Sequence, residues 1–167
     1  MADIAFLLLI FFLLVTTIET DTGIGMTLPP PLEDEEEPPP VEERNMLRIL
    51  VDADGRVLVR DDLSSIDEIR SEVRTHVTNF GEDPNYSDNP DDAVVSFQTD
   101  RNTRYDAYID VLDEVVMAYR EVWEAEAQQQ GYSDWAEYTE EHGSRDNPIR
   151  DEYPFNLSLA EPDPGQQ

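Results

Sequence analysis

Few side chains in this 167-residue sequence stand where they could do chemistry. The most unusual is Asp3, an acid that opens directly onto the apolar run IAFLLLIFFLLVTTI of Ile4 to Ile18. An ionised carboxylate inside a bilayer costs on the order of 3 kcal/mol, and one found there is by default a candidate for proton handling. An interfacial acid beside the N-terminal amine accounts for Asp3 equally well. The two histidines, His76 and His142, lie in unrelated segments without a ligand partner at motif spacing. They read as surface or half-buried residues rather than metal ligands. Asp52-x-Asp54-Gly55 shares its first acids with a calcium loop but lacks the third acid and the closing Glu, so it reads as a hairpin turn. Gly23-Ile24-Gly25 lacks the later glycine and the lysine of a phosphate loop, and there is no G-x-S-x-G. With 39 Asp and Glu, pairing any two carboxylates as acid and base is arbitrary. No enzyme, cofactor or metal centre is expected.

The charge is lopsided. All 11 basic residues are arginines, so the formal net charge is −28, and there is neither lysine nor cysteine. Nothing here could neutralise a row of phosphates, which argues against a general nucleic-acid partner. The absence of cysteine excludes a disulfide framework and thiolate metal sites. The acids are spread from Asp52 to Asp163 rather than gathered in a tail. Such a surface repels itself unless salt screens it, and the Debye length falls to about 3 Å at 1 M. Adaptation to high salt is the expectation.

The elements that must position these residues follow from pattern. As a helix, Ile4 to Ile18 would rise roughly 22 Å, short of the ~30 Å hydrocarbon core. A signal peptide is disfavoured, because the start is Met-Ala-Asp rather than basic and VTTIETDTG holds no good cleavage site. A transmembrane helix over residues 1–18, with further residues upstream of Met1, is the reading that explains more. Residues 19–45 form an extended acidic, Pro-rich linker: Pro29-Pro30-Pro31, then Glu33-Asp34-Glu35-Glu36-Glu37, then Pro38-Pro39-Pro40. Prolines favour polyproline II and like charges repel, so its reach is at most about 80 Å.

A small α+β domain is predicted over residues 46–160. Leu47, Ile49 and Val51 suggest a strand, and Val57 and Val59 continue it beyond the Asp54-Gly55 turn. Ser65-Ile66-Asp67-Glu68 fits a capping box for a helix ending near His76 or Val77. After a polar loop from Phe80 to Asp92, Ala93 to Phe97 reads as a buried strand. The strongest helical pattern runs from Tyr105 through Leu112, Val115, Tyr119 and Trp123 to about Gln129, capped by Thr103 or Asn102. Residues 133–141 could form a further short helix, and Phe155, Leu157 and Leu159 a last strand. The order β-β-α-β-α-(α)-β implies two or three helices on one face of a small sheet. Residues 161–167 form a tail expected to be disordered.

Met1 to Phe12, an aspartate followed by IAFLLLIFF, with Val15-Thr16 after it, resembles the transmembrane signature of the ExbD/TolR biopolymer-transport family. Met26-Thr27-Leu28-Pro29 resembles that family's short segment just outside the membrane. Val94 to Asp100 followed by Tyr105-Asp106-x-Tyr108 looks like its strand and following helix start. Leu159-Ala160-Glu161-Pro162 is similar to the ending of some longer ExbD-like proteins, so the resemblance spans nearly the whole chain.

The resemblance implies a single-pass inner-membrane protein with a periplasmic C-terminal domain. Such proteins form a homodimer inside an ExbB-like channel protein, surrounded by membrane lipid. The protonmotive force drives that motor, and a TonB-like energy transducer carries the energy to outer-membrane transporters. Asp3 matches the family's proton-carrying aspartate. Leu28 and Pro29, or an exposed strand edge, become candidates for partner contact by strand addition. The family's basic cytoplasmic tail and first helical turn are missing ahead of Asp3. Two other roles remain open from the sequence. One is a TolR-like function in envelope maintenance; the other is a secreted acidic binding domain released after Thr17.

Overall fold

The computed structural model describes residues 2–15 and 41–160. The chain divides into two compact units, Met1–Glu36 and Glu37–Gln167. In the first, α1 spans Ala2–Val15. Among the described residues no helix is long and apolar enough to cross a membrane.

The second unit is built on a five-stranded mixed sheet ordered β3-β2-β1-β4-β5. Strand β1 (Met46–Val51) alternates as its sequence does: Leu47, Ile49 and Val51 are buried, whereas Arg48 and Leu50 face outward. A tight turn at Asp54-Gly55 returns the chain antiparallel as β2 (Val57–Val59). Gly55 there sits at φ 80 and its N–H donates to the Asp52 carbonyl at 3.0 Å. Strand β3 (Asp62–Ser64) then pairs antiparallel with β2. It has no counterpart in the sequence reading, because three residues at an edge, with Leu63 left 75% exposed, carry no alternation to detect.

Helix α2 (Ile66–Val77) begins where Ser65 and Glu68 predict it. The Glu68 carboxylate accepts from the Ser65 N–H at 3.0 Å and from the Ser64 hydroxyl at 2.9 Å. These bonds hold its pKa below the usual carboxylate value, led by the Ser65 N–H. Ile69, Val73 and Val77 form its buried stripe. Strand β4 (Val94–Thr99) lies parallel to β1, and β5 (Leu157–Ala160) parallel to β4.

Helix α3 (Tyr105–Gln129) buries Val111, Leu112, Val115, Ala118, Tyr119, Val122 and Trp123. Its N-cap differs from expectation. Arg104 holds that position without a side-chain cap bond, while the Thr103 hydroxyl lies 3.1 Å from the carbonyls of both Val51 and Asp52. Asn102 is occupied by the Asp100 carboxylate. Tying the loop to the end of β1 thus takes precedence over capping the helix. Arg70 of α2 grips Glu114 of α3 through two bonds of 2.7 and 3.0 Å and also reaches Glu121.

Two short helices follow, α4 (Trp135–His142), capped by Asp134, and α5 (Pro148–Glu152), capped by Asn147. The second was not foreseen, since five residues are too few to show a period. The strand residues of alternate parity join α2, α3, Tyr138, Ile149 and Tyr153 in one core, so the helices cover a single face of the sheet. The architecture is the α+β arrangement expected.

Candidate functional site: the Asp3 helix and the clamp at the head of the globular unit

In α1, Asp3 occupies the first turn, where the helix dipole favours an anion, and it is exposed. It is the sole ionisable side chain of ADIAFLLLIFFLLV. Ile4, Phe6, Leu7, Leu8, Leu9 and Phe11 are all more than half exposed, and at helical spacing they cover every side of the helix. A helix apolar all round is made to be buried in other helices or lipid. Leu28 and Pro29, the other sequence-predicted contact residues, lie outside the described residues.

A second locus emerges only in three dimensions, at the start of the globular unit. Residues Glu43–Asn45, read from the sequence as the end of a spacer, form a 3-10 turn whose last residue is buried. Arg44 clamps it to the loop after α2. Its guanidinium donates to the Tyr86 carbonyl at 3.1 Å and the Asp83 carbonyl at 3.3 Å, and pairs with the Asp88 carboxylate at 2.7 Å. Asn45 completes the clamp: its side-chain oxygen accepts from the Asp88 N–H at 2.9 Å.

Beneath the clamp is a polar network. His76 is fully buried, not surface or half-buried as its sequence context suggested. Its Nε2 lies 3.1 Å from the Asn45 carbonyl. Burial pushes its pKa down to about 4, and the nearby Arg60 charge acts in the same direction, so the ring is neutral and donates from Nε2. The Ser87 hydroxyl donates to the His76 carbonyl. Asn79 donates to the carbonyls of Asp83 and Ser87 at 2.9 and 2.8 Å and accepts from the Asp83 N–H. Asn45, His76, Asn79 and Ser87 are four of the five buried polar residues among those described. Their concentration makes this the main buried polar network among the described residues, with only the His76 Nδ1 left without a partner in it. Sequence periodicity missed it: its members come from three separate segments, and only the Phe80–Asp92 loop brings them together. His142, in contrast, is exposed, and its Nε2 lies 2.9 Å from the Tyr132 hydroxyl.

These two loci are a helix carrying one acid and a clamp that fixes Glu43–Asn45 to the loop after α2. No curated protein matches the chain. A family model for the biopolymer transport protein ExbD/TolR matches residues 1–122. The match takes in α1 and the unit as far as Val122 of α3. It stops short of α4, α5 and β5, so the likeness of Leu159-Ala160-Glu161-Pro162 to longer family members lies beyond it. With almost three-quarters of its length matched from the Asp3 helix onward, this chain belongs to the ExbD/TolR family of biopolymer transport proteins.

Proposed function

We propose that this chain is the ExbD-like stator element of a protonmotive-force-driven motor, with Asp3 as its proton carrier. The observation carrying this reading is that Asp3 is the sole ionisable group on a helix otherwise apolar on every side. A carboxyl drawn into an apolar bundle favours its neutral form, so alternating access lets it take a proton from one side and release it to the other. Each charge crossing 100 mV supplies about 2.3 kcal/mol, and several per stroke can do mechanical work. In this reading α1 is the membrane-embedded part of a single-pass helix set among ExbB-like subunits of the inner membrane. The globular unit lies in the periplasm, as one of a pair of copies, and acts on a TonB-like transducer. No substrate is chemically turned over. The pull of the tether enters the domain at Arg44 and Asn45, so the clamp is where force would be borne.

The test is Asp3→Asn in the chain expressed with its channel partner, with energised outer-membrane uptake as the readout. Uptake should fall to the uncoupled background, and Asp3→Glu should retain part of it. Normal uptake together with an intact envelope in the Asn variant would remove Asp3 from the proton path. Loss of envelope integrity with uptake intact would instead favour the TolR-like role.

A further inference from the structure

We infer that the globular unit carries a binding site for a carboxylate on an apolar stem, built around Arg60 and Arg48. Arg60 stands one step beyond the Ile49–Val59 pair of the β1–β2 ladder, directly across from Arg48, and its N–H donates to the Arg48 carbonyl at 3.0 Å. Like charges directly opposite each other on a sheet are destabilising. Their juxtaposition is the more conspicuous in a chain of net charge −28, where almost any other residue pair would be acidic or neutral. Asp61 relieves it only in part, pairing with Arg48 at 3.3 Å from an exposed position.

Arg60 itself is in no ion pair among the described residues. Its guanidinium carbon lies 3.9 Å from the centroid of the Tyr86 ring, and its Nη2 is buried, so a ligand in the recess meets the remaining nitrogens of the group. The Tyr86 hydroxyl donates onward to Glu72 at 3.2 Å, which fixes the ring as a platform. The guanidinium is therefore held against the ring, with no carboxylate paired to it among the described residues. Its backbone is also paid for in strain: Arg60 and Asp61 form a two-residue hairpin turn with φ 52 and 70, a geometry that favours Asn-Gly. An arginine kept where glycine fits better points to a use for its charge.

The two arginines share a recess of about 330 Å³ whose other walls are Val41, Glu43, Met46 and Asn85. Val41 and Met46 give it an apolar side, and Asn85 a neutral polar one. Glu43, in the same lining, disfavours a doubly charged anion, so a singly charged carboxylate with a hydrocarbon stem fits better than a phosphate. A free organic acid and an acidic side chain on a partner segment both present that chemistry.

The experiment uses the full chain in detergent, with Arg60 Nε–H followed by NMR. Hexanoate and the peptide acetyl-Leu-Glu-Leu-amide are titrated at constant ionic strength, with hexylammonium and chloride as controls. Saturable shifts with at least one carboxylate and none with the controls are expected. Tighter binding of the peptide would identify a side-chain ligand, and tighter binding of hexanoate a free acid. Arg60→Gly should weaken the binding at least tenfold while melting at the same or a higher temperature, because glycine suits φ 52. Arg48→Gln should weaken it several-fold. Shifts that merely track ionic strength, or unchanged affinity in folded Arg60→Gly protein, would overturn the site.

Discussion

At the scale of single residues, His76 couples the fold to pH. It is fully buried and neutral, and its pKa of about 4 lies below the 6.5 of an unperturbed histidine. Between those values the unfolded chain binds a proton that the folded chain does not, so stability rises with pH. The contribution is whole above pH 6.5 and is lost as the pH falls toward 4. Between pH 7 and pH 5 that amounts to about 2 kcal/mol. Protonation of the many carboxylates relieves repulsion in the opposite direction, so the comparison must be differential. His76→Gln keeps a donor for the Asn45 carbonyl but cannot titrate. The stability difference between the two proteins, from denaturant unfolding at each pH, should shift by that amount in favour of the variant as pH drops. A difference that stays constant would mean that His76 is not protonated on unfolding in this window. No pattern in the sequence marks this histidine: its ring is buried, and the carbonyl it meets belongs to Asn45, 31 positions away.

At the scale of elements, the region beyond the family match is held by caps and aromatic contacts. Asn147 is 2% exposed; its side chain accepts from the Arg150 N–H at 3.1 Å and donates to the Gly143 carbonyl at 2.9 Å. It thereby starts α5 and ties it back to the end of α4. In turn α5 places Ile149 in the core and the Arg150 guanidinium over Trp123, 4.3 Å from its ring. Trp123 itself donates to the Tyr153 carbonyl at 2.9 Å and stacks on Trp135. Asn147→Ala removes the α5 cap and the tie to the Gly143 carbonyl, so it should cost about 1–2 kcal/mol. Thermal or urea unfolding checks the loss, and tryptophan fluorescence should change with it because Trp123 packs against this segment. An effect below a few tenths of a kcal/mol would mean that α5 is not an integral part of the unit. The long elements were legible beforehand: α2 from its Ser65–Glu68 start and its apolar stripe, α3 from nine apolar residues at helical spacing. Strand β3 and α5 were not, because elements of three to five residues take their stability from what they pack against rather than from their own period.

At the scale of the whole molecule, charge governs. With 39 acids against 11 arginines, most carboxylates have no cation to pair with, and repulsion favours the expanded chain. Salt should shorten the range of that repulsion without weakening the core. The melting temperature should therefore rise as sodium chloride is increased from 0.1 M to 2 M, and circular dichroism would follow it. A flat or falling melting temperature would mean that the acids are already compensated by local contacts such as Arg70 with Glu114, and that high salt is not the condition to which the protein is suited.

The sequence by itself determined the family, the α+β class and the identity of Asp3 as the one acid on an apolar helix. These rest on local properties: an unbroken hydrocarbon run, alternation of apolar residues in strands, and helical spacing. Only the tertiary structure decided what fixes Glu43–Asn45 to the loop after α2 and where Arg48 and Arg60 converge. Arg44, Asn45 and His76 meet through a loop with no periodicity of its own. Arg48 and Arg60 face one another because strand register puts them there. Contacts between residues far apart in the chain depend on which surfaces the core leaves adjacent, and no short window of sequence contains that information.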